Sequence, residues 1–589
     1  MSENTEKQGL AGPARVYLYL VALVAIHMTV LGVANLLRIG AEFSLRAPSG
    51  SFTGLPFVFV DYNQPARIYL QQLSLALALT LVGGIGWAIH WGLAQRAARR
   101  APAERGAGMR SFYLNLVGVV TALLVFGYGI AVMTGVSNGL LGQPFANDYA
   151  QATPAWSPRF DAEYLAQMAA QLSMVIAAGA ALGYHLWVGR ADRQAIQVRG
   201  EAAGFRRLRV YLLSAIGLAS FAFALAAVVS TVWRYQFAEA GSYYEMVNML
   251  IYGVPFALAG LPLWLASWLP AQRLAGGVGF EAVAERESAL RRLLLYGAVL
   301  VSGATAMIAL AGALSDLVRR LLDNSGGTGI LPGAGPPVTY LLVFAGTWWL
   351  HRRAIERDAS LQVQAEGGGA SLRRLYYYAV CALSMAIIAI GTAGLAGVAG
   401  SRFVTGQDNH ASAETAFYIT MLLVGIPAWA WHWRAVVRRV RAAGDLAPDE
   451  LRAMARRGYL YLAAFGGIAT LLVAGSAVAF RLFNGLLLGG FGLDEWHTIW
   501  HLAVDAAVGL GVFALHLRIV QADRAAIARS GLAAAEEPEH AVAVMVRAAT
   551  PEAARKRLER ALGSGKGMRL EDAEAGAQAG AVEPALLRS

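Results

Sequence analysis

Apolar runs of roughly twenty residues recur from one end of this 589-residue chain to the other. A run of that length spans a hydrocarbon core of about 30 Å as a helix. The runs fall near 15–37, 67–93, 111–135, 162–188, 208–233, 244–269, 293–317, 337–351, 375–398, 414–433, 458–482 and 496–518. Inside a bilayer the backbone finds no water, so each segment must close its own hydrogen bonds. The runs are unbroken where a β-barrel would alternate, which leaves helices. The sequence therefore predicts an all-α, polytopic integral membrane protein with about 12 transmembrane helices. Its 57% hydrophobic and 15% charged content and mean hydropathy of +0.48 agree, and its 65 glycines suit closely packed membrane helices. The eighth run, 337–351, is short and follows a Gly/Pro-rich stretch, so it is expected to begin in the outer loop or to be re-entrant.

The runs pair into six hairpins with common ends. Five open on Arg-x3-Tyr: Arg15/Tyr19, Arg207/Tyr211, Arg292/Tyr296, Arg374/Tyr378 and Arg457/Tyr461, while the second departs with Arg110, Phe112 and Tyr113. Five close on a hydrophobic residue three before a histidine: Trp87/His90, Leu182/His185, Trp348/His351, Trp429/His432 and Phe513/His516; the third hairpin carries Trp264, Ser267 and Trp268. Arg and Tyr four apart share a helix face. Repetition of this kind predicts duplicated, equally oriented two-helix units at 15–96, 110–193, 207–273, 292–357, 374–441 and 457–524, after an N-terminal segment 1–14 and before a partly disordered tail 525–589 with a possible helix over Glu552–Leu562.

Orientation follows from charge. The connections between hairpins are rich in arginine and those within hairpins are poor, which places the former, and both termini, in the cytoplasm. The net charge of +11 is thereby explained by topology, and no basic stripe interleaved with aromatics points to nucleic acid. The single cysteine, Cys381, excludes disulfides and Cys-based metal sites within the chain. Residues 1–15 lack the pattern of a cleaved signal peptide, so the first run is expected to remain as a helix in a multi-pass protein of the bacterial inner (plasma) membrane.

Chemistry is sparser. The ends typified by Arg374, Tyr378, Trp429, His432, Trp433 and Arg434 read as cytoplasmic interface anchors, because Trp and Tyr favour the headgroup region and Arg reaches lipid phosphate. They also make anionic lipids at that face a candidate partner. On the opposite side Asp494 and Glu495 precede His497, His501 and Asp505, which are four apart and share one helix face. An intramembrane carboxylate is costly, so this trio is the candidate ion, proton or metal site. The spacing is not that of a zinc protease, since no glutamate stands between the histidines. His27 lies midway along the first run as a candidate intramembrane partner. No nucleotide loop, nucleophile elbow or kinase motif occurs in its required context, and no cofactor is predicted.

The unit running from Arg374 and Tyr378 to Pro427, Trp429, His432 and Trp433 resembles a bacterial family of uncharacterised multi-spanning membrane proteins, a domain of unknown function that opens Arg-x3-Tyr and closes Pro-x-Trp-x-x-His-Trp. The resemblance covers roughly residues 10–520 and implies the fold and location, bringing no activity or catalytic residues. The expectation is a non-enzymatic scaffold or interaction platform that binds the bilayer and a further membrane protein. The alternatives are a transporter or channel using His497, His501 and Asp505, and a membrane redox protein.

Overall fold

The computed structural model describes residues 12–47, 65–142, 158–196, 200–237, 242–323, 330–361, 369–405, 411–441, 448–488 and 490–529, with three short strands beyond. Eleven helices among these residues are long and apolar enough to cross a membrane, the architecture of a multi-pass membrane protein. The twelfth expected span differs. It belongs to a continuous helix, Ile330–Ser360, that carries Pro336 and Pro337 inside it and ends in a charged turn, and among the described residues it is not one of the eleven. The Gly/Pro-rich sequence that suggested a late start is thus partly helical.

The contacts divide the chain into two compact units, one of residues Met1–Trp433 with Leu472–Val508, the other of Arg434–Leu471 with Gly509–Ser589. In the first, α1 (Gly12–Leu45) packs along α2 (Pro65–Arg100), α3 (Gly108–Leu140) along α4 (Ala162–Ala195), and α1 also lies against α4. The same design follows: α5 (Gly200–Phe237) packs on α7 (Val254–Ala275), and α9 (Ala289–Leu322) on α10 (Ile330–Ser360), which also touches α5. The short α6 (Ser242–Asn248) runs into α7 through a π turn at Met249–Gly253, ahead of Pro255, which has no N–H to offer the helix. Asp161 caps α4. Its carboxylate accepts from the Tyr164 N–H and then from Arg159, which holds it below the ordinary carboxylate range.

α5 and α7 touch backbone to backbone at Gly217 and Gly260, where a Cβ on Gly260 would come 2.7 Å from the Phe221 nitrogen. Small residues allow this approach. Gly217→Val is expected to push the helices apart and cost about 1–3 kcal/mol, read as a lower unfolding midpoint in detergent; an unchanged midpoint would mean that the contact carries no strain.

α11 (Gly369–Thr405) packs on α9 and meets α12 (Ala411–Arg441) where Gly391 faces Met421. α13 (Pro448–Arg452) precedes α14 (Met454–Leu488) and α15 (Leu493–Arg529). In the second compact unit Val440, Leu451 and Ala526 form a buried cluster. Connections that the sequence left as loops are short helices: a 3₁₀ turn at Pro102–Gly106, α8 (Phe280–Arg286) and α13. The tail departs from the all-α expectation with β1 (Ala541–Met545), β2 (Arg569–Asp572) and β3 (Pro584–Arg588), antiparallel in the order β1-β3-β2. The expected helix over Glu552–Leu562 lies outside the described residues, as does the segment before Gly12.

Candidate functional site

The arginine-rich ends of the helices hold buried ionic networks of repeated composition. In the first unit Arg110, near the start of α3, is 1% exposed and grips Asp192 at the end of α4 with both Nε (2.7 Å) and Nη2 (3.3 Å). Nη2 also donates to Gln95 Oε1 at 2.9 Å, and the guanidinium lies 5.0 Å from the Trp91 ring centre. Arg15 and Tyr19 of α1 reach Glu104 in the 3₁₀ turn, Arg15 Nη2 at 2.8 Å and the tyrosine hydroxyl at 3.4 Å. Four helices and the 3₁₀ turn are thereby tied at one end.

Helices α5–α10 repeat the set. Arg291, fully buried, donates to Asp358 at 2.6 and 3.0 Å and to Gln272 at 3.0 Å, while Arg206, Arg207 and Tyr211 converge on Glu285 of α8. Within the second compact unit Arg456 grips Asp523 at 2.6 and 2.8 Å. One spacing rule covers all three: Glu-x5-Arg at Glu104/Arg110, Glu285/Arg291 and Glu450/Arg456, and His-x6-Asp at His185/Asp192, His351/Asp358 and His516/Asp523. Bidentate Arg–carboxylate pairs are strong and geometrically specific, and a paired charge is the form in which such groups are tolerated in a buried site.

Beside each ion pair stands a histidine. His185 Nδ1 meets the Ala181 carbonyl at 2.7 Å, which assigns its proton to Nδ1 and leaves Nε2 as an acceptor for the Tyr113 hydroxyl at 2.9 Å. Trp87 Nε1 donates to the same hydroxyl at 3.0 Å. His516 pairs with Tyr459 at 3.0 Å. The helices α5–α10 break this rule: Leu294 stands where Tyr113 and Tyr459 stand, three residues after Arg291. His351 Nε2 and Trp264 Nε1, both buried, find no hydrogen-bond partner among the described residues. Next to Leu294 a 480 Å³ apolar cavity opens between α5, α9 and α10.

The sequence-predicted residues take varied places. His27 is half-buried in α1 with Nδ1 on the Leu23 carbonyl at 2.7 Å, and its Nε2 has no partner among the described residues. Tyr378 is buried and Arg374 half-buried; Trp429 and Trp433 stack at 5.6 Å, and His432 pairs with Tyr376 at 3.2 Å. Arg434 is exposed. At the other end of the helices His497 and His501 sit with ring centres 4.6 Å apart, and His501 is held by Ser401 at 2.9 Å. Gly397 and Gly400 of α11 make the room that His501 and Trp500 occupy. Asp505 is half-buried, near enough to His501 to interact electrostatically, and makes no hydrogen bond or ion pair among the described residues. No cluster of three or more His, Cys, Asp or Glu side chains suited to a metal occurs among them.

Sequence reasoning missed the acidic half of the networks, Glu104, Glu285, Asp192, Asp358 and Asp523, although their constant spacings were available. It also missed Arg38, buried near the far end of α1, which pairs with Glu42 at 2.6 Å and Gln72 at 2.8 Å.

A family described as a domain of unknown function, DUF5671, matches residues 15–180, 207–335 and 374–515. The chain belongs to the DUF5671 family. Each matched DUF5671 segment opens on Arg-x3-Tyr, at Arg15, Arg207 and Arg374, and each contains the Glu-x5-Arg position or its beginning: Glu104/Arg110, Glu285/Arg291 and Glu450/Arg456. No curated protein and no solved structure matches the chain.

Proposed function

We propose that this DUF5671 protein is a non-enzymatic platform of the bacterial inner membrane, made of six hairpins, of which the first four combine two at a time into four-helix units, α1–α4 and α5–α10. The single observation that supports it most is that the buried charges are neutralised inside the fold: Arg110 by Asp192, Arg291 by Asp358 and Arg456 by Asp523. They tie helix ends together, where a conduit would present them to a permeating ion. The partners that suit such a body are the bilayer, with anionic lipid at the basic face, and another membrane protein. No cofactor is assigned.

The basic ends face the cytoplasm in this reading, by the excess of arginine there. Single cysteines on a Cys381→Ala background test it. Phe43→Cys, at an exposed position near the end of α1, is expected to react with an impermeant maleimide in intact cells, and Arg100→Cys only after permeabilisation. The reverse pattern inverts the topology.

One observation favours the transporter reading, the carboxylate of Asp505 without a hydrogen bond among the described residues. In proteoliposomes the platform predicts no proton or ion flux for the parent chain or for Asp505→Asn, with thermal midpoints that agree closely. A flux present in the parent and lost in the variant makes the protein a transporter.

A further inference from the structure

The first four-helix unit meets the second where α3 packs against α5, and the second meets the next segment where α9 packs against α11. The ionic networks give the two junctions a common numbering. Two residues before the opening tyrosines stand Arg209 and Tyr376; next to the paired aspartates stand Arg193 and Ala359; two residues before those aspartates stand Arg190 and Glu356. Five residues after the buried arginines stand Asn115 and Tyr296. The second junction is closed by tyrosines, with Tyr296 and Tyr376 ring centres 6.0 Å apart. A family helix contact therefore forms without these cations, and their presence at the first junction is a separate feature.

Arg105, Arg193, Arg206 and Arg209 converge there with Ser111 and Asn115 on a cavity of 40 Å³. Arg209 Nε donates to Asn115 Oδ1 at 2.8 Å, and Asn115 is oriented by its own bond to the Ser111 carbonyl at 2.7 Å. Arg105 donates to the Ala98 carbonyl at 3.2 Å. Of the carboxylates nearby, Asp192, in the cavity wall, is paired with Arg110, and Glu285 with Arg206, Arg207 and Tyr211, while Asp192 and Glu281 attract Arg193 from beyond ion-pair distance. Among the described residues Arg105, Arg193 and Arg209 have no carboxylate within ion-pair distance, while Arg190, Arg193 and Arg206 all lie close enough to Arg209 to repel it. Like charges gathered around a sheltered cavity call for an anion.

We propose that this cavity binds a phosphate group, held by the guanidiniums of Arg105, Arg193 and Arg209. Planar guanidiniums suit tetrahedral oxyanions, and the Ser111 hydroxyl adds a neutral hydrogen-bonding group. The volume admits one phosphoryl group, since a single water needs about 10–15 Å³ of such space. The group comes from a lipid headgroup or from free phosphate. The proposal holds whether the chain is a platform or a transporter.

The test uses the full chain, stripped of lipid in detergent, with inorganic phosphate against chloride at equal ionic strength as one arm. Nanodiscs of phosphatidylglycerol against phosphatidylcholine are the other, with the unfolding midpoint read in both. The variants are Arg193→Ala, at an exposed position, and Arg193→Ala with Arg209→Tyr, the residues of the second junction; Arg99→Ala with Arg100→Ala removes the same charge as the double variant elsewhere. Parent and control are expected to be stabilised by phosphate or by phosphatidylglycerol, with apparent affinity about tenfold weaker in Arg193→Ala. A response to phosphatidylglycerol alone assigns a headgroup, and a response to phosphate alone a soluble anion; both support the site. No stabilisation of the parent, or equal stabilisation of Arg193→Ala and the control, overturns it. Should the double variant fail to fold, Arg193→Ala decides.

Discussion

Asp192→Ala should destabilise the protein by about 3–5 kcal/mol, because it strands the guanidinium of Arg110 in a site that is 1% exposed. What remains to Arg110 is the Gln95 amide oxygen, the Tyr19 hydroxyl and the face of Trp91, none of which carries a full negative charge. The reciprocal Arg110→Ala leaves Asp192 equally uncompensated. Replacing both together, Arg110→Met with Asp192→Leu, is expected to recover most of the loss, since a buried ion pair contributes little more than well-packed apolar groups of similar size. The measurement is a double-mutant cycle on unfolding in detergent. If the single and double variants were equally damaged, the pair would not be acting as a unit. Arg15→Ala is a parallel case: Arg15 is 29% exposed but the Glu104 side chain is fully buried, so its loss leaves a buried carboxylate with the Tyr19 hydroxyl, and a loss of similar size is expected.

The second large effect concerns the tyrosine that the middle unit lacks. Tyr113→Leu should cost about 2–5 kcal/mol, because it deprives two buried groups, Trp87 Nε1 and His185 Nε2, of the hydroxyl that serves both. Leu294→Tyr should do the opposite. It offers the same hydroxyl to Trp264 Nε1 and His351 Nε2 and fills part of the adjacent cavity, and a gain of about 1–3 kcal/mol is expected. Leu294→Phe supplies the ring without the hydroxyl. A tyrosine no more stabilising than phenylalanine would show that the two nitrogens do not need the bond.

The multi-pass helical class was legible because membrane burial writes itself into uninterrupted apolar sequence. The ends of the helices were legible only as composition. Arg15, Tyr19, Trp87 and His185 are the residue types that anchor helices at a headgroup layer, and sequence alone does not separate a tyrosine facing lipid from one that is 1% exposed, as Tyr19 is. Their partners lie far along the chain: Arg15 and Glu104 are 89 residues apart, and Tyr113 and His185 72 apart. The signal that distinguishes them is a constant interval, Glu-x5-Arg and His-x6-Asp, which becomes visible when hairpins are compared two at a time. Asp505 shows the converse. Its cost inside a membrane was evident from the sequence, yet the fold gives it a neighbour, His501, that is itself held by Ser401.

The long sequence interval within each ion pair bears on how the protein is made. Arg110 leaves the ribosome 82 residues before Asp192, Arg291 67 before Asp358, and Arg456 67 before Asp523. Until the aspartate arrives, the start of each third helix carries a cation that has no place in the apolar interior and must remain at the water boundary. Each of these arginines is therefore expected to find its counter-ion only once the helix that carries the aspartate has been made. Breaks that follow Asp192 and Asp358 separate no such pair and are the ones a split version of this protein is expected to tolerate.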